Sequence, residues 1–416
     1  MSVKLDRQIE TTGTKFKVFP QPRFLSAFSQ PETITISVPP HMIEAGPADD
    51  RFYVVDAINK RPYRYPYLPP YRGPSNPPIQ PDPATGHFDH LDVDSREFKC
   101  AHMYAIVRRA LDIWEDYFGR RIEWHFNSWY QRMELIPLIH WDNAHSGWGF
   151  LEFGFGRTEW GGIDLSKPYC MNHDILAHEL GHSIIFSQVG VPENTTDEYW
   201  GFHESAGDVV ALISLLHFDK VVSHLLDRSK GNLFTVNELS RVGELSHSRE
   251  IRRAFNYKRM SNIVDRSKPH DLSEPLTGAL FDIFVEVFQK ELVKSGLIDQ
   301  ELADLSYHGP EEPVDDSLIQ DKFDLAYVGK ESEFKSALFR ARDYWGELLA
   351  KTWSSLSSLN YLYYANVVSS LLSTDINLTG GEHQEIIRKS FVWREISFPD
   401  DSIAFRSFYV SDLHLD

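Results

Sequence analysis

His178-Glu179-Leu180-Gly181-His182 sets two histidines four positions apart, with a glutamate directly after the first. On a helix these imidazoles stand one turn apart on one face and can grip a single metal ion, with Glu179 beside it. The flanking residues fit that use. Ile175, Leu176, Leu180, Ile184 and Ile185 supply an apolar side for burial, which leaves the two histidines to face a cleft.

A third ligand is available in Glu204, on a helical run that begins near Gly201 and is almost entirely apolar from Val209 to Leu216. Asp208 lies one turn beyond it on the same face. Buried acids need partners. A zinc ion would satisfy Glu204, and a zinc-binding histidine would satisfy Asp208, whose carboxylate then fixes the imidazole tautomer. Two neutral histidines and one carboxylate leave a fourth zinc position for water, the arrangement of a catalytic site. Such an ion lowers the pKa of its water to about 7, and Glu179 is placed to take the proton as that water attacks a carbonyl.

The elements that must position these residues are legible to different degrees. Lys15–Val18, Thr33–Val38 and Phe52–Val55 alternate and are β-branched or aromatic, which predicts short strands. Residues 61–83 carry nine prolines interleaved with tyrosines, so an extended, irregular wrapping arm or linker is expected, with a place across the active-site cleft as one possibility. Tyr104, Val107, Leu111, Trp114 and Phe118 form one stripe of an amphipathic helix. Strands are predicted at Arg121–Phe126 and Met133–His140, then a polar turn over Asp142–Trp148 and another strand over Gly149–Phe155. An exposed strand edge just ahead of the metal-binding run could dock an extended peptide by main-chain pairing. Helices are predicted around 276–288, 334–357, 359–372 and 382–392. The stretch 298–333, with Glu311, Glu312, Asp315 and Asp316, reads as a solvated acidic insertion without the regular ligand spacing of a calcium loop.

The 416 residues, 42% of them hydrophobic, are enough for one or two substantial cores. A formal net charge of -18 argues against a nucleic-acid footprint. No apolar run reaches the length of a membrane span or of a signal peptide near Met1, so a cytoplasmic chain with no membrane partner is expected. Cys100 and Cys170, the two cysteines, make no disulfide framework.

From Phe98 onward the order of landmarks resembles the thermolysin-like gluzincin metallopeptidases. The resemblance implies an α+β fold of two lobes: a β-rich N-terminal lobe with a long helix, a helical C-terminal lobe, and the zinc helix between them. The expected divisions are 1–97, 98–190 and 191–416. It further implies one zinc per chain on His178, His182 and Glu204, with Glu179 as general base, Asp208 as the buried aspartate behind a ligand, and Asp174 as the acid one turn before the first histidine. Asn143-Ala144 falls where the family has its substrate-binding edge turn, and Arg252 resembles its substrate-carbonyl arginine, with Arg253 and Arg241 as alternatives. His270 falls where the family has its oxyanion-stabilising histidine, with Asp265 to orient it.

Two departures stand beside these matches. The family's catalytic tyrosine aligns near Thr195, where Tyr199 is the nearest candidate, and the acids that hold its paired calcium ions are missing after Glu204, which makes calcium doubtful. The expected activity is zinc-dependent hydrolysis of a peptide or protein substrate, with a zinc-binding regulatory protein and a zinc amidohydrolase on a non-peptide amide as the alternatives.

Overall fold

The stripe from Tyr104 to Trp114 lies in helix α1 (Arg96–Phe118), capped by Ser95, whose hydroxyl accepts from Phe98 N at 3.0 Å, and ended by Gly119 at φ 64°. The computed structural model describes residues 11–234, 241–242, 252–254, 256–306, 316–357 and 359–399. Buried residues occur on most sides of α1, polar ones included. Arg108 binds Asp49 at 2.8 Å and also Asp112, whose carboxylate accepts from the Ser37 amide at 2.9 Å. Each of these buried charges is thereby paired.

Strands β1 (Thr14–Val18) and β2 (Glu32–Ile36) form an antiparallel pair. A four-stranded sheet follows in the order β3-β4-β6-β5, from Phe52–Val54, Met133–Ile136, Phe150–Phe153 and Ala144–Gly147. Its first two pairings are parallel and the last antiparallel, so β5 is an edge. The run expected as a polar turn is therefore strand at its centre. The turn itself is Trp148-Gly149, where Gly149 takes φ 83°, a left-handed value that costs glycine little. Strands β7 (Phe155–Arg157) and β8 (Ile163–Pro168) make a separate hairpin.

Arg121–Phe126 is irregular rather than a strand. Ile122, Trp124 and Phe126 are buried in alternation, which mimics a strand, but the Ile122 amide donates to the Glu115 carboxylate and Trp124 stacks on Phe126. One-sided packing, not a ladder, produced the pattern. The following strand stops at Ile136, because Pro137 has no N–H to continue it.

The proline-rich arm forms no strand but is firmly attached. Glu134 on β4 and Glu152 on β6 are both fully buried. Glu134 accepts from the hydroxyls of Tyr53 and Tyr63 and from the Tyr71 amide; Glu152 accepts from Lys60, from the Tyr63 amide and from His145 on β5. The arm thus supplies half of the donors for two carboxylates that water does not reach. It is a fastened part of this sheet.

The rest of the described chain is mostly helical: α2 (His173–Gln188), α3 (Asp197–Leu215), α4 (Asp219–Ser229), α5 (Pro269–Lys294), α6 (Gln300–Ser306), α7 (Asp316–Tyr327), α8 (Glu331–Ser355), α9 (Tyr364–Thr379) and α10 (Gln384–Trp393). Helix α9 starts five residues later than expected. The acidic stretch contains α6 and α7, which bury Leu302, Ile319 and Phe323, while Glu311, Glu312 and Asp315 lie outside the described residues. In the second half, Phe284 of α5 stacks on Trp345 of α8 at 4.8 Å.

The fold is α+β. Two compact units divide the chain: one runs to Ser187 and takes in Val210–Val221, the other takes in Gln188–Val209 and the described residues from Arg252 on. No single helix among the described residues is long and apolar enough to cross a membrane.

Replacing Lys60 by methionine leaves the Glu152 carboxylate buried with one cation fewer. The expected loss is about 3 kcal/mol in urea unfolding, the scale of breaking a buried pair. A variant as stable as the wild type would show that the Lys60–Glu152 pair does not stabilise the sheet.

Candidate metal centre

Helix α2 starts where Asn172 accepts from the Ile175 amide through its side chain at 3.2 Å. Asp174 is in the first turn, buried and 3.1 Å from His173 Nδ1; a negative charge there complements the helix dipole. Ile175, Leu176, Leu180, Ile184 and Ile185 are all buried, as their spacing predicts. His178 is buried, while Glu179 and His182 are half-buried. The two imidazoles lie 4.6 Å apart with their planes at 84°.

Two serines fix the far end of the helix. Ser187 donates to the Ser183 carbonyl at 2.7 Å and accepts from the His125 amide at 3.0 Å. Ser183, next to His182, lies 3.0 Å hydroxyl to hydroxyl from Ser146 on the edge strand β5. That contact ties β5 to the histidine-bearing helix. The sequence held no signal for it, because Ser146 read as part of a turn.

Glu204 sits in the half of α3 that packs closely on α5. A side chain at Gly201 would meet the Tyr364 hydroxyl at 2.3 Å and Leu272 at 3.0 Å, so the position accommodates glycine alone without displacement. Thr277 of α5 donates to Ser205 at 2.9 Å, in the turn that carries Glu204. His270, in the first turn of α5, brings its Nδ1 to 2.9 Å from Glu204 Oε2. Asp208 is fully buried one turn beyond.

The donor atoms of His178, His182 and Glu204 all lie within 4.8 Å of one another. Two imidazole nitrogens and one carboxylate oxygen are the protein ligands of a catalytic zinc site, and the residues present fit that ion.

The remaining expected residues fall in different places. Asn143 is exposed and directly precedes β5, whose first residue is Ala144, paired in register with Phe153. Tyr199 is fully buried, and its hydroxyl donates to the Gly190 carbonyl at 2.9 Å. That hydroxyl is bound within the loop before α3.

Asp265 is exposed and accepts from the Ser267 amide and hydroxyl, with Lys268 at 3.9 Å. It therefore caps its own loop; the partner found for His270 is Glu204, and Ser273 donates to the His270 carbonyl. Arg252 begins a two-residue strand, Arg252–Arg253, and its side chain lies outside the described residues, as does that of Arg241.

No family model matches the chain, and a search of curated proteins finds no match. Solved structures similar to it include the precursor of protealysin, a metalloproteinase from Serratia proteamaculans, at 10% sequence identity and a TM-score of 0.49 over 86% of this chain and 89% of that one. An identity this low says nothing of activity.

His125 packs against Phe186 of α2 and against Trp148, and burial lowers its pKa from 6.5 to about 4. The unfolded imidazole takes up a proton near pH 6.5 that the folded one refuses until about pH 4, so stability is lost as pH falls through that window. In urea unfolding at several pH values, His125→Phe is expected to flatten the loss by up to about one proton. An unchanged slope would mean that His125 titrates normally.

Proposed function

We propose that this protein is a zinc-dependent peptidase, an endopeptidase that cuts extended segments of peptide or protein. The observation that carries the reading is the convergence of His178, His182 and Glu204, with Glu179 beside the first ligand on α2. Zinc held there would polarise a carbonyl and make its bound water acidic enough to attack near neutral pH.

The remaining steps belong to the chain. Glu179, half-buried, accepts the proton of the attacking water and passes it to the leaving amine. His270 is exposed, has its ring at Glu204, and would donate to the oxygen on which negative charge develops. The unpaired side of β5, beginning at Ala144, offers main-chain groups to an extended segment, and the Ser146–Ser183 contact sets the distance of that edge from the helix bearing the ligands.

A second reading, a zinc-binding protein without efficient turnover, is favoured by one feature. With the Tyr199 hydroxyl bound to Gly190, His270 is left as the single side-chain oxyanion donor among the residues expected for that role.

Zinc content by mass spectrometry and casein cleavage decide between them. The wild type is expected to hold one zinc and cleave; Glu179→Gln should keep the zinc and lose activity by about 10²–10⁴-fold, the usual contribution of a general base. His270→Ala should lower kcat about 10²–10³-fold with zinc retained. One zinc with no cleavage by the wild type would establish the second reading, and absence of zinc would overturn both.

A further inference from the structure

Helix α2 and the hairpin of β5 and β6 are tied together at two points, both within the unit that runs to Ser187. Ser146 of β5 lies 3.0 Å from Ser183, the residue directly after His182. Four residues further along α2, Ser187 accepts from the His125 amide at 3.0 Å, and the His125 ring stands edge-on to Trp148 with 4.9 Å between centroids. On the helix the two ties are one turn apart, about 6 Å. On the hairpin they are two residues apart, about 6.6 Å for extended chain. Helix and strand edge therefore keep step from the candidate ligand His182 outward.

The outer tie is a cluster of three rings. Phe186 follows His182 by one turn on the same face of α2, and both residues are half-buried. His125 packs between Phe186, at 5.3 Å, and Trp148. Trp148 keeps 42% of its surface exposed. Burial lowers the His125 pKa to about 4, so the imidazole is neutral at pH 7 and the cluster offers rings without a charge.

The hairpin holds Trp148 in place. A side chain at Gly147 would meet the Phe150 ring at 2.2 Å, and one at Gly149 would meet the Tyr130 ring at 2.5 Å. The glycines on either side of Trp148 thus each press against an aromatic ring. A fixed, partly open indole backed by other rings gains most from covering by another apolar group.

We propose that Trp148, His125 and Phe186 form a specificity subsite that receives an aromatic or large aliphatic side chain of the substrate, about two residues from the cleaved bond. The proposal rests on the peptidase reading above. An extended segment paired on β5 turns alternate side chains to one face, about 6.6 Å apart. With the scissile carbonyl at the candidate ligands, level with Ser146 and Ser183, the next side chain on that face comes level with Trp148.

The test is digestion of a random-sequence peptide mixture by the full chain, with cut sites read by mass spectrometry. The wild type is expected to enrich Phe, Leu and Met at one fixed position near the cut. For a peptide pair differing there only in Leu or Ser, kcat/KM should favour Leu about tenfold or more. Trp148→Ala should bring that ratio close to one, with thermal unfolding confirming the fold. Phe186→Ala, which removes the opposite wall, gives a second reading of the same loss. Cleavage without apolar preference, or an unchanged Leu-to-Ser ratio in the folded variants, would overturn the subsite alone. Cleavage of no peptide by the wild type would overturn it together with the peptidase reading.

Discussion

Two imidazoles one helical turn apart can share an ion only if the helix beneath them does not move, because metal–ligand distances tolerate about 0.2 Å. Helix α2 meets that constraint on several sides. Its apolar residues are buried, Asn172 closes its first turn, and Ser187 ties its last turn to the His125 amide. Ser183 extends the restraint to the edge strand β5. Any surface that receives substrate on that edge is thus referenced to the ligand-bearing helix by one short contact.

The third candidate ligand has a different source of rigidity. Glu204 depends on the close approach of α3 to α5, which requires the bare backbone at Gly201 and is fixed in register by Ser205 and Thr277. Tyr364 adds a third support: it donates to the Leu272 carbonyl while its own amide donates to Glu198 at 2.6 Å, in the first turn of α3. The same approach delivers His270 to Glu204. A single packing arrangement therefore places both a candidate ligand and the proposed oxyanion donor, and a change at position 201 would disturb the two together.

The cluster of His178, His182 and Glu204 was legible because helical spacing alone puts the two histidines on one face, and because an acid in the apolar run around Glu204 demands a partner. The main helices were legible for the same periodic reason. The hydrogen-bond partners of individual side chains were not. The Tyr199 hydroxyl binds the Gly190 carbonyl and the Asp265 carboxylate binds Ser267, partners that order along the chain does not reveal. Arg121–Phe126 shows how a period of two can arise without a ladder, and the arm over 61–83 shows how a proline-rich composition conceals tight attachment when its acceptors lie some 70–90 residues further on.

Those attachments also show how this acidic chain treats carboxylates it buries. Glu134 and Glu152 are surrounded by hydroxyls, amides, a lysine and a histidine; Asp282 is bound by Arg394, whose guanidinium also bonds Asn256 and the Lys258 carbonyl. In each case the cost of removing a charge from water is met by several donors at once, which is the condition under which a buried ion persists. Glu286 lies one turn beyond Asp282 on α5, its Oε1 makes no hydrogen bond among the described residues, and burial, with Asp282 beside it, pushes its pKa up to about 8. Two acids on adjacent turns of one face thus reach opposite solutions: one is satisfied by the chain's own arginine, and the other is left with a covered carboxyl oxygen that makes no hydrogen bond among the described residues.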